Sequence, residues 1–471
     1  MRKNLSVALV FMFVIFKAQV LNYYFGNIHS HTGFSDGNQD SLSSGISGPS
    51  GSYAFAKLSQ NFNFLGISEH NHYSADNNPG FQIQSWPIGM SQASSANQEG
   101  SFLCLFGMEW GVTSSYHGHV LIYGFPQLIG WENSPINYDV YNAKQDYDAL
   151  FRKVKNLPGS FLTLAHPQTN DYSTDGTVAN SLINAPYNSA YDSAITGTPL
   201  KSGYYLTAAS NYTDYAIGNY FDYYKILLAK GYHLGMTYDH DNHNTTFGRN
   251  NAGRLVIITP SLTIANFYSA MQNMHFYGSD DWNAKVAFTM NGNIMGSVLS
   301  GTANPVFHLT HNDSDGELAD SIKIWKGISN DASLPEVANI TLQSNSSSYT
   351  DNNLQPGLEY YYFAEIKQTD GQWIVTSPIW YKNTLTAGIK ENTGVLDFNY
   401  FPNPVSQKLS VSTSETNHYQ ISILDLTGRI IFEKSFYDKS FLIDLSGFSA
   451  GIYYLKFGNF KSSVTKKLVI E

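Results

Sequence analysis

The sequence predicts an α/β domain followed by two all-β, sandwich-like domains. Three observations predict it. From Asn22 to about Gly278, short apolar runs alternate with stretches of helical spacing. Nearly every run leads into His, Asp or Glu, and in parallel α/β sheets and barrels the carboxyl ends of strands gather at one rim. After about Asn283 the helical spacing stops and short strands with turn signals take over. The scattered polar residues converge if the first domain is a β/α barrel.

In chain order, residues 1–20 read as a secretory signal. Arg2 and Lys3 form its charged start, Leu5 to Phe16 its short apolar core, and Ala18 lies near the expected cleavage point. An uncleaved anchor is the alternative. No later segment is long and apolar enough to span a bilayer, so no stable membrane span is expected. Ile28 to Gly37 reads as a short strand running into a polar turn. His29 and His31 alternate with Ser30 and project from one face. Two neutral imidazoles so placed can hold a divalent metal, and Asp36 adds a carboxylate from the turn.

Phe64–Ile67 is a strand-like run ending in Ser68-Glu69-His70, and Phe102–Phe106 one ending in Gly107-Met108-Glu109. Val120–Tyr123 is entered through Gly118-His119. Tyr147, Leu150, Phe151 and Val154 keep helical spacing until Pro158-Gly159. Phe161–Leu164 then leads to Ala165-His166-Pro167. Tyr220–Lys230 reads as a helix stopped by Gly231, and Tyr232–Thr237 as a strand leading into Tyr238–His243. Leu262–Met274 is a last helix, with Thr263 or Ser261 near its cap. The polar stretches Ser74–Gly100 and Thr169–Asn211 are expected to shape a pocket.

Residues 284–382 carry strand patterns at Val286–Met290, Val306–His311, Ile322–Trp325, Ile340–Gln343, Tyr360–Gln368 and Trp373–Trp380. Leu354 to Tyr360 looks like the tyrosine corner of sandwich domains. Asp313-Ser314-Asp315-Gly316 reads as a turn, since the downstream ligand run of a calcium loop is missing. A polar linker at 383–396 precedes a final small sandwich at 397–471. The net charge of −10 argues against nucleic acid as a bulk partner, while metals can offset the charge of a small phosphate ester locally. The single cysteine, Cys104, forms no intramolecular disulfide and sits in an apolar run that predicts burial.

Taken in order, these motifs resemble the polymerase-and-histidinol-phosphatase (PHP) superfamily over about Asn22 to Gly278. The resemblance rests on His29-Ser30-His31 with Ser35-Asp36-Gly37, the strand ending Glu69-His70 (the family has aspartate at Glu69), Gly107-Met108-Glu109, His119 to Gly124, Ala165-His166-Pro167, and Asp241-Asn242-His243. Asp239 and His240 offer a second, overlapping register for the last motif; the Asp241/His243 register is favoured. The resemblance implies a distorted seven-stranded β/α barrel over 21–283, holding two or three divalent ions of zinc, iron or manganese. Carried over, His29, His31 and Asp241 hold the first ion and Glu109 bridges. His119 and His166 serve another, and Asp36, His70 and His243 complete a third. Glu109, Asp241 and His117 are the candidate catalytic residues, His117 as proton donor unless it is a plain exposed loop histidine. Glu69 either positions His70 or is structural, and Asp239 is a candidate positioning group. Arg249 and Arg254 either bind the phosphate or are solvated loop arginines. His72, His240 and Asn71 crowd the same strand ends.

The final ~75 residues resemble a type A sorting domain of the type IX (Por) secretion system. The likeness rests on Tyr400-Phe401-Pro402-Asn403-Pro404, Asp425-Leu426-Thr427-Gly428-Arg429 and Gly451-Ile452-Tyr453-Tyr454. It implies transit through the periplasm, the secretion machinery as partner, and a secreted or surface product; a plain sugar-binding sandwich is the alternative. Together the resemblances imply a secreted phosphoesterase that hydrolyses a small phosphate mono- or diester with a metal-bridged hydroxide. Ester, amide or carbamate hydrolysis on the same site, or a non-catalytic metal-stabilised surface binder, are the alternatives.

Overall fold

A computed structural model describes residues 20–71, 85–111, 115–131, 140–203, 205–213, 218–331, 333–385, 398–459 and 463–471. The expected signal apart from Val20, His72, and the expected linker from residue 386 on lie outside the described residues. The chain divides into two compact units, Met1–Thr386 and Ala387–Glu471.

The first unit is built on a mixed sheet. Its strands are β1 (Asn22–Asn27), β2 (Phe64–His70), β3 (Leu103–Trp110), β4 (His119–Tyr123), β5 (Phe161–Ala165), β6 (Ile195–Pro199), β7 (Gly235–Thr237), β8 (Arg254–Thr259) and β9 (Phe276–Ser279). They are hydrogen-bonded in the order β7-β6-β5-β4-β3-β2-β1-β8-β9. The pairs β1–β2, β2–β3, β5–β6 and β6–β7 are parallel. β4 runs antiparallel to both of its neighbours. The short stretch between Trp110 and His119 explains this, because antiparallel strands need only a hairpin whereas a parallel return takes a dozen residues or more.

Helices fill the connections. Tyr147–Lys155 buries Tyr147, Leu150, Phe151 and Val154, as the spacing predicts, and Asp146 caps it by accepting from Ala149 N. Phe221–Ala229 and Ile264–Gln272 follow the other two helical patterns, the latter capped by Thr263. The polar 74–100 stretch, expected as a loop, contains the helix Ser85–Ala96, which buries Trp86, Gly89 and Ala93.

The sheet does not stop at residue 283. β9 pairs with Trp373–Thr376, and the path continues through Glu359–Gln368 and Ala319–Ile328 to Glu336–Leu342. Strand alternation then serves two cores at once. On β8, Leu255 and Ile257 face the core under the helices, while Val256 and Ile258 face a second core with Phe288, Phe307, Tyr362 and Ile366. The change of pattern after Asn283 therefore marks a change of connectivity inside one compact unit. Tyr360 accepts a hydrogen bond from Gln355 N at 2.8 Å, tying its strand to the preceding corner. Cys104 is buried, and burial pushes its thiol up to about 12.

The second unit is two small antiparallel sheets, one of three strands and one of four. Phe398, Val411, Ile421, Leu455, Phe457 and Leu468 pack between them.

Candidate metal centre

The polar residues meet at one rim for reasons of topology. Glu109 lies near the carboxyl end of β3, and His119 begins β4. Because β4 is antiparallel to β3, its first residue lies at the rim where β3 ends. The same inversion sets His119 opposite Ala165, so His166 follows directly beside it. The first and last motifs are joined by backbone bonds: Asp241 N donates to the His29 carbonyl at 2.9 Å and His31 N to the Asn242 carbonyl at 3.0 Å. His29 and His31 therefore lie just past β1, in an extended segment bridged at Ser30 to Asn242, not within a strand. Gly37 lets the turn holding Asp36 fold back, since a Cβ there would lie 2.1 Å from the His31 carbonyl carbon. His166 and Asp241 adopt left-handed backbone at φ 31° and 49°, conformations that non-glycine residues populate sparsely and that cluster at functional sites.

Glu109 is the centre of the arrangement. Its Oε1 lies 2.6 Å from His119 Nδ1 and 3.0 Å from His166 Nε2. Its Oε2 lies 3.2 Å from His29 Nε2, 3.0 Å from His31 Nε2 and 3.5 Å from His70 Nδ1. Asp241 Oδ1 is 3.2 Å from both His29 Nε2 and His31 Nε2. Asp36 Oδ2 is 3.5 Å from His70 Nε2 and 3.4 Å from His243 Nε2. Three overlapping groups result, each with its ligand-type atoms within 4.8 Å of one another: His29, His31, Glu109 and Asp241; His31, Asp36, His70 and His243; and His70, Glu109 and His119. His70 thus joins two groups, where the resemblance implied one.

The atoms do not pair off as an ordinary hydrogen-bond network. Both ring nitrogens of His29, Nδ1 of His31 and Oε2 of Glu109 are buried without a hydrogen bond, although their neighbours are close. Buried polar groups are normally satisfied. A cluster in which several converging donor atoms stay unbonded fits residues that could hold a shared cation. The electrostatics agree. Burial pulls His31 down, but the carboxylates of Asp241, Glu109 and Asp36 outweigh it and push it up to about 10. Burial opposes the charge on Glu109 and Asp241, yet the surrounding imidazoles hold both carboxylates well below their usual range. The carboxylates and imidazoles of the rim stabilise one another's charged forms.

Other expected residues take other parts. Asp239 Oδ2 lies 3.5 Å from His29 Nδ1, behind the ring. Glu69 accepts from the Thr32 amide, the Thr32 hydroxyl and the Ser35 hydroxyl, so it fixes the turn that carries Asp36 instead of orienting His70. Of the two registers of the last motif, Asp241 and His243 stand in the groups, while the His240 Nε2 faces the Gly253 carbonyl at 2.8 Å. His117 is half-buried with Nδ1 3.1 Å from the Ser115 carbonyl, and it stands in none of the three groups.

The two arginines are a correction. All five N–H donors of Arg254 go to backbone carbonyls, those of Asn61, Asn251, Gly253, Gln60 and Gly248. The side chain is fully buried, so it is neither a solvated loop arginine nor available to a phosphate. Arg249 donates to Ser59 Oγ and the Phe55 carbonyl and stacks on the Phe55 ring at 4.0 Å. Both guanidiniums tie loops together.

Asn27 is a residue that motif reading misses. Buried at the end of β1, it donates to the His29 carbonyl at 2.8 Å and to Ser30 Oγ at 2.7 Å, and accepts from His240 N at 3.0 Å. It braces both motifs, and a lone asparagine leaves no signal of that in sequence.

Among known proteins, the family model for the secretion system C-terminal sorting domain matches residues 399–471. No curated protein matches the chain. Similar solved structures include the FN1–FN3 domains of chicken CNTN1, at 13% identity and TM-score 0.14, covering 36% of this chain and 62% of that one. Another is an α-L-rhamnosidase from Dictyoglumus thermophilum, at 11% identity and TM-score 0.17, covering 39% of this chain and 28% of that one. The chain spans less than two thirds of the length of either. Among the described residues no helix is long and apolar enough to cross a membrane. Residues 399–471 are a Por secretion sorting domain, which indicates a secreted or cell-surface protein.

Proposed function

We propose that the first unit is a metal-dependent phosphoesterase of the PHP kind, acting outside the cell on a small phosphate mono- or diester. On this reading β1 to β7 form the distorted seven-stranded barrel, closed where Asp241 and Asn242 bond to His29 and His31. One observation carries the proposal. Seven side chains from distant parts of the chain, and His166 with them, gather with Glu109 into overlapping groups at one rim.

The mixed nitrogen and oxygen donors suit zinc, iron or manganese. When bound, such ions supply Lewis acidity, lowering the pKa of a water and offsetting charge on the substrate. The protein's own part is geometric. Glu109 presents Oε1 to His119 and His166 and Oε2 to His29 and His31, and would hold ions on both sides. Asp239 holds the His29 ring, as carboxylates behind metal-binding histidines do. Glu69 holds the Asp36 turn.

The placement of Arg249 and Arg254 favours a second reading. With Arg254 engaged by backbone and Arg249 held by Ser59 Oγ and the Phe55 carbonyl, phosphate loses its expected cationic partners, and a neutral ester, amide or carbamate becomes a fitting substrate for the same centre. The full chain loaded with manganese, iron or zinc distinguishes these readings. Hydrolysis of para-nitrophenyl phosphate or its bis-ester, lost in His166→Ala, supports the phosphoesterase. Hydrolysis of para-nitrophenyl acetate alone favours the second reading. Stoichiometric metal without turnover of any of these marks a binding protein.

A further inference from the structure

Far from the histidine-rich rim, the mixed sheet of the first unit ends at the strand Glu336–Leu342. Among the described residues this strand pairs on one side only, with Ala319–Ile328. The open N–H and C=O groups of an edge strand will pair with any extended chain, so edges are normally blunted by charge. From Val337 to Leu342 this edge carries no charged side chain. Ile340 is 56% exposed and Leu342 66%, and Leu334, just ahead of the strand, is 50% exposed.

A bulge opens the start of the edge. Ile324 pairs with Asn339 but Trp325 pairs with Val337, so Ala338 is an extra residue on the outer strand. Such a residue bends its strand and interrupts the ladder. Past the bulge, Asn339 Nδ2 donates to Ser347 Oγ at 3.1 Å, and Thr341 Oγ1 lies 2.8 Å from the same oxygen. These contacts tie the edge to Ser346–Thr350, the end strand of the sheet across the second core. Ahead of the bulge a cavity of about 360 Å³ lies between the two edges, lined by Ile328, Leu334, Val337, Ala338 and Tyr349. Ligand clefts begin at about 300 Å³.

The cavity is acidic at its border. Asp331 and Glu336 both line it. Lys326 stands opposite Glu336 in register, yet its ammonium is committed elsewhere: Nζ lies 2.6 Å from Asp351 Oδ2 and 3.3 Å from the Asn353 carbonyl. The unmet need is therefore for positive charge beside an aliphatic hollow. A sugar would find little to stack on, since the Tyr349 ring is itself stacked on Phe307 at 6.0 Å and the exposed side chains are aliphatic. A second copy of this strand would bring no lysine or arginine to the two carboxylates.

We propose that this edge binds an extended basic peptide by strand addition. The peptide backbone pairs with Glu336–Leu342, an aliphatic side chain enters the cavity, and an arginine or lysine two positions along, on the same face, meets Asp331 and Glu336. Main-chain pairing supplies affinity and the alternate side chains supply selectivity.

Fluorescence polarisation on the full chain tests this, with a fluorescein-labelled peptide Thr-Leu-Thr-Arg-Thr as probe. It should bind about tenfold or more tighter than Thr-Leu-Thr-Glu-Thr, because opposite charge is favoured and like charge penalised at the mouth. The same arginine peptide with alternate backbone nitrogens methylated should not bind. Glu336→Lys, at an exposed position, should reverse the preference between the two peptides, and Leu334→Ser should weaken both alike. Equal binding of the arginine and glutamate peptides, a preference unchanged in Glu336→Lys, undiminished binding of the methylated peptide, or no binding at all would overturn the proposal. So would a dimer in sedimentation that the arginine peptide fails to dissociate, which would give the edge to a second copy.

Discussion

The two compact units bury different kinds of side chain. The second unit closes on an almost wholly apolar core, and Ser422 is its single buried polar residue among those described. The first unit has apolar cores too, but it also buries His29, His31, Asp36, His70, Glu109, Asp239, Asp241 and His243 within one small volume. Removing charges from water is expensive unless they are paired. A sandwich read by a secretion machine needs only surface and stability, and alternating strands supply both. A rim that gathers carboxylates and imidazoles out of water carries a desolvation cost, and the surrounding fold has to brace it.

The sharpest test of that contrast is Glu109→Ala. It should lower hydrolytic rate by more than about 100-fold, beyond the 10–100-fold typical of residues behind a metal ligand, with bound metal falling in parallel. Metal analysis and kcat on one preparation check it. Retained metal and rate would break the contrast. Next comes Arg254→Ala, which strands five backbone carbonyls, three of them in buried bonds, and should destabilise the first unit by about 3–5 kcal/mol, the range for breaking a buried charged partnership. Denaturant melts measure it, and at a permissive temperature the KM for a phosphate ester should hold. A raised KM would return the arginine to the substrate. Leu455→Ala should cost about 2–5 kcal/mol in the second unit alone, leaving metal content unchanged. Calorimetry that resolves two transitions checks which one moves.

The smallest effect is a pH dependence. His233 Nδ1 lies 3.1 Å from Asp192 and Nε2 3.3 Å from Glu359. Burial pulls the imidazole down, but the two carboxylates outweigh it and push it up to about 9. A folded pKa above the unfolded value stabilises fully below about 6.5, and the contribution disappears as pH rises through about 9. The Tm of the metal-loaded first unit should fall across that window, and His233→Gln should flatten the slope. The second unit has no buried histidine among its described residues and should show none of this.

Much of the rim was legible because imidazoles and carboxylates at the ends of apolar runs stand out. His-x-His, Gly-Met-Glu and Ala-His-Pro each follow an apolar run, and the run and the ligand are adjacent in sequence. The antiparallel course of β4 was not legible: His119 precedes its strand, and only the pairing with β3 and β5 shows why that end faces the site. β8 escaped for a related reason. Leu255 to Ile258 is continuously apolar because both of its faces are buried, in different cores, so it lacks the alternation that marks a half-exposed strand. Arginines were legible as charges but not as directions. What Arg249 and Arg254 reach depends on carbonyls left open by loops, which have no sequence pattern.

The stitch between Asp241 and His29 has a consequence for the order of events. Ligands 212 positions apart stand on adjoining backbone only after every strand between them has found its place. Closing so long a loop is slow, and its entropy is recovered only at the end. A chain truncated before Asp241 lacks part of the proposed donor set. On the proposed reading, capture of metal would be a certificate of completed folding, issued late.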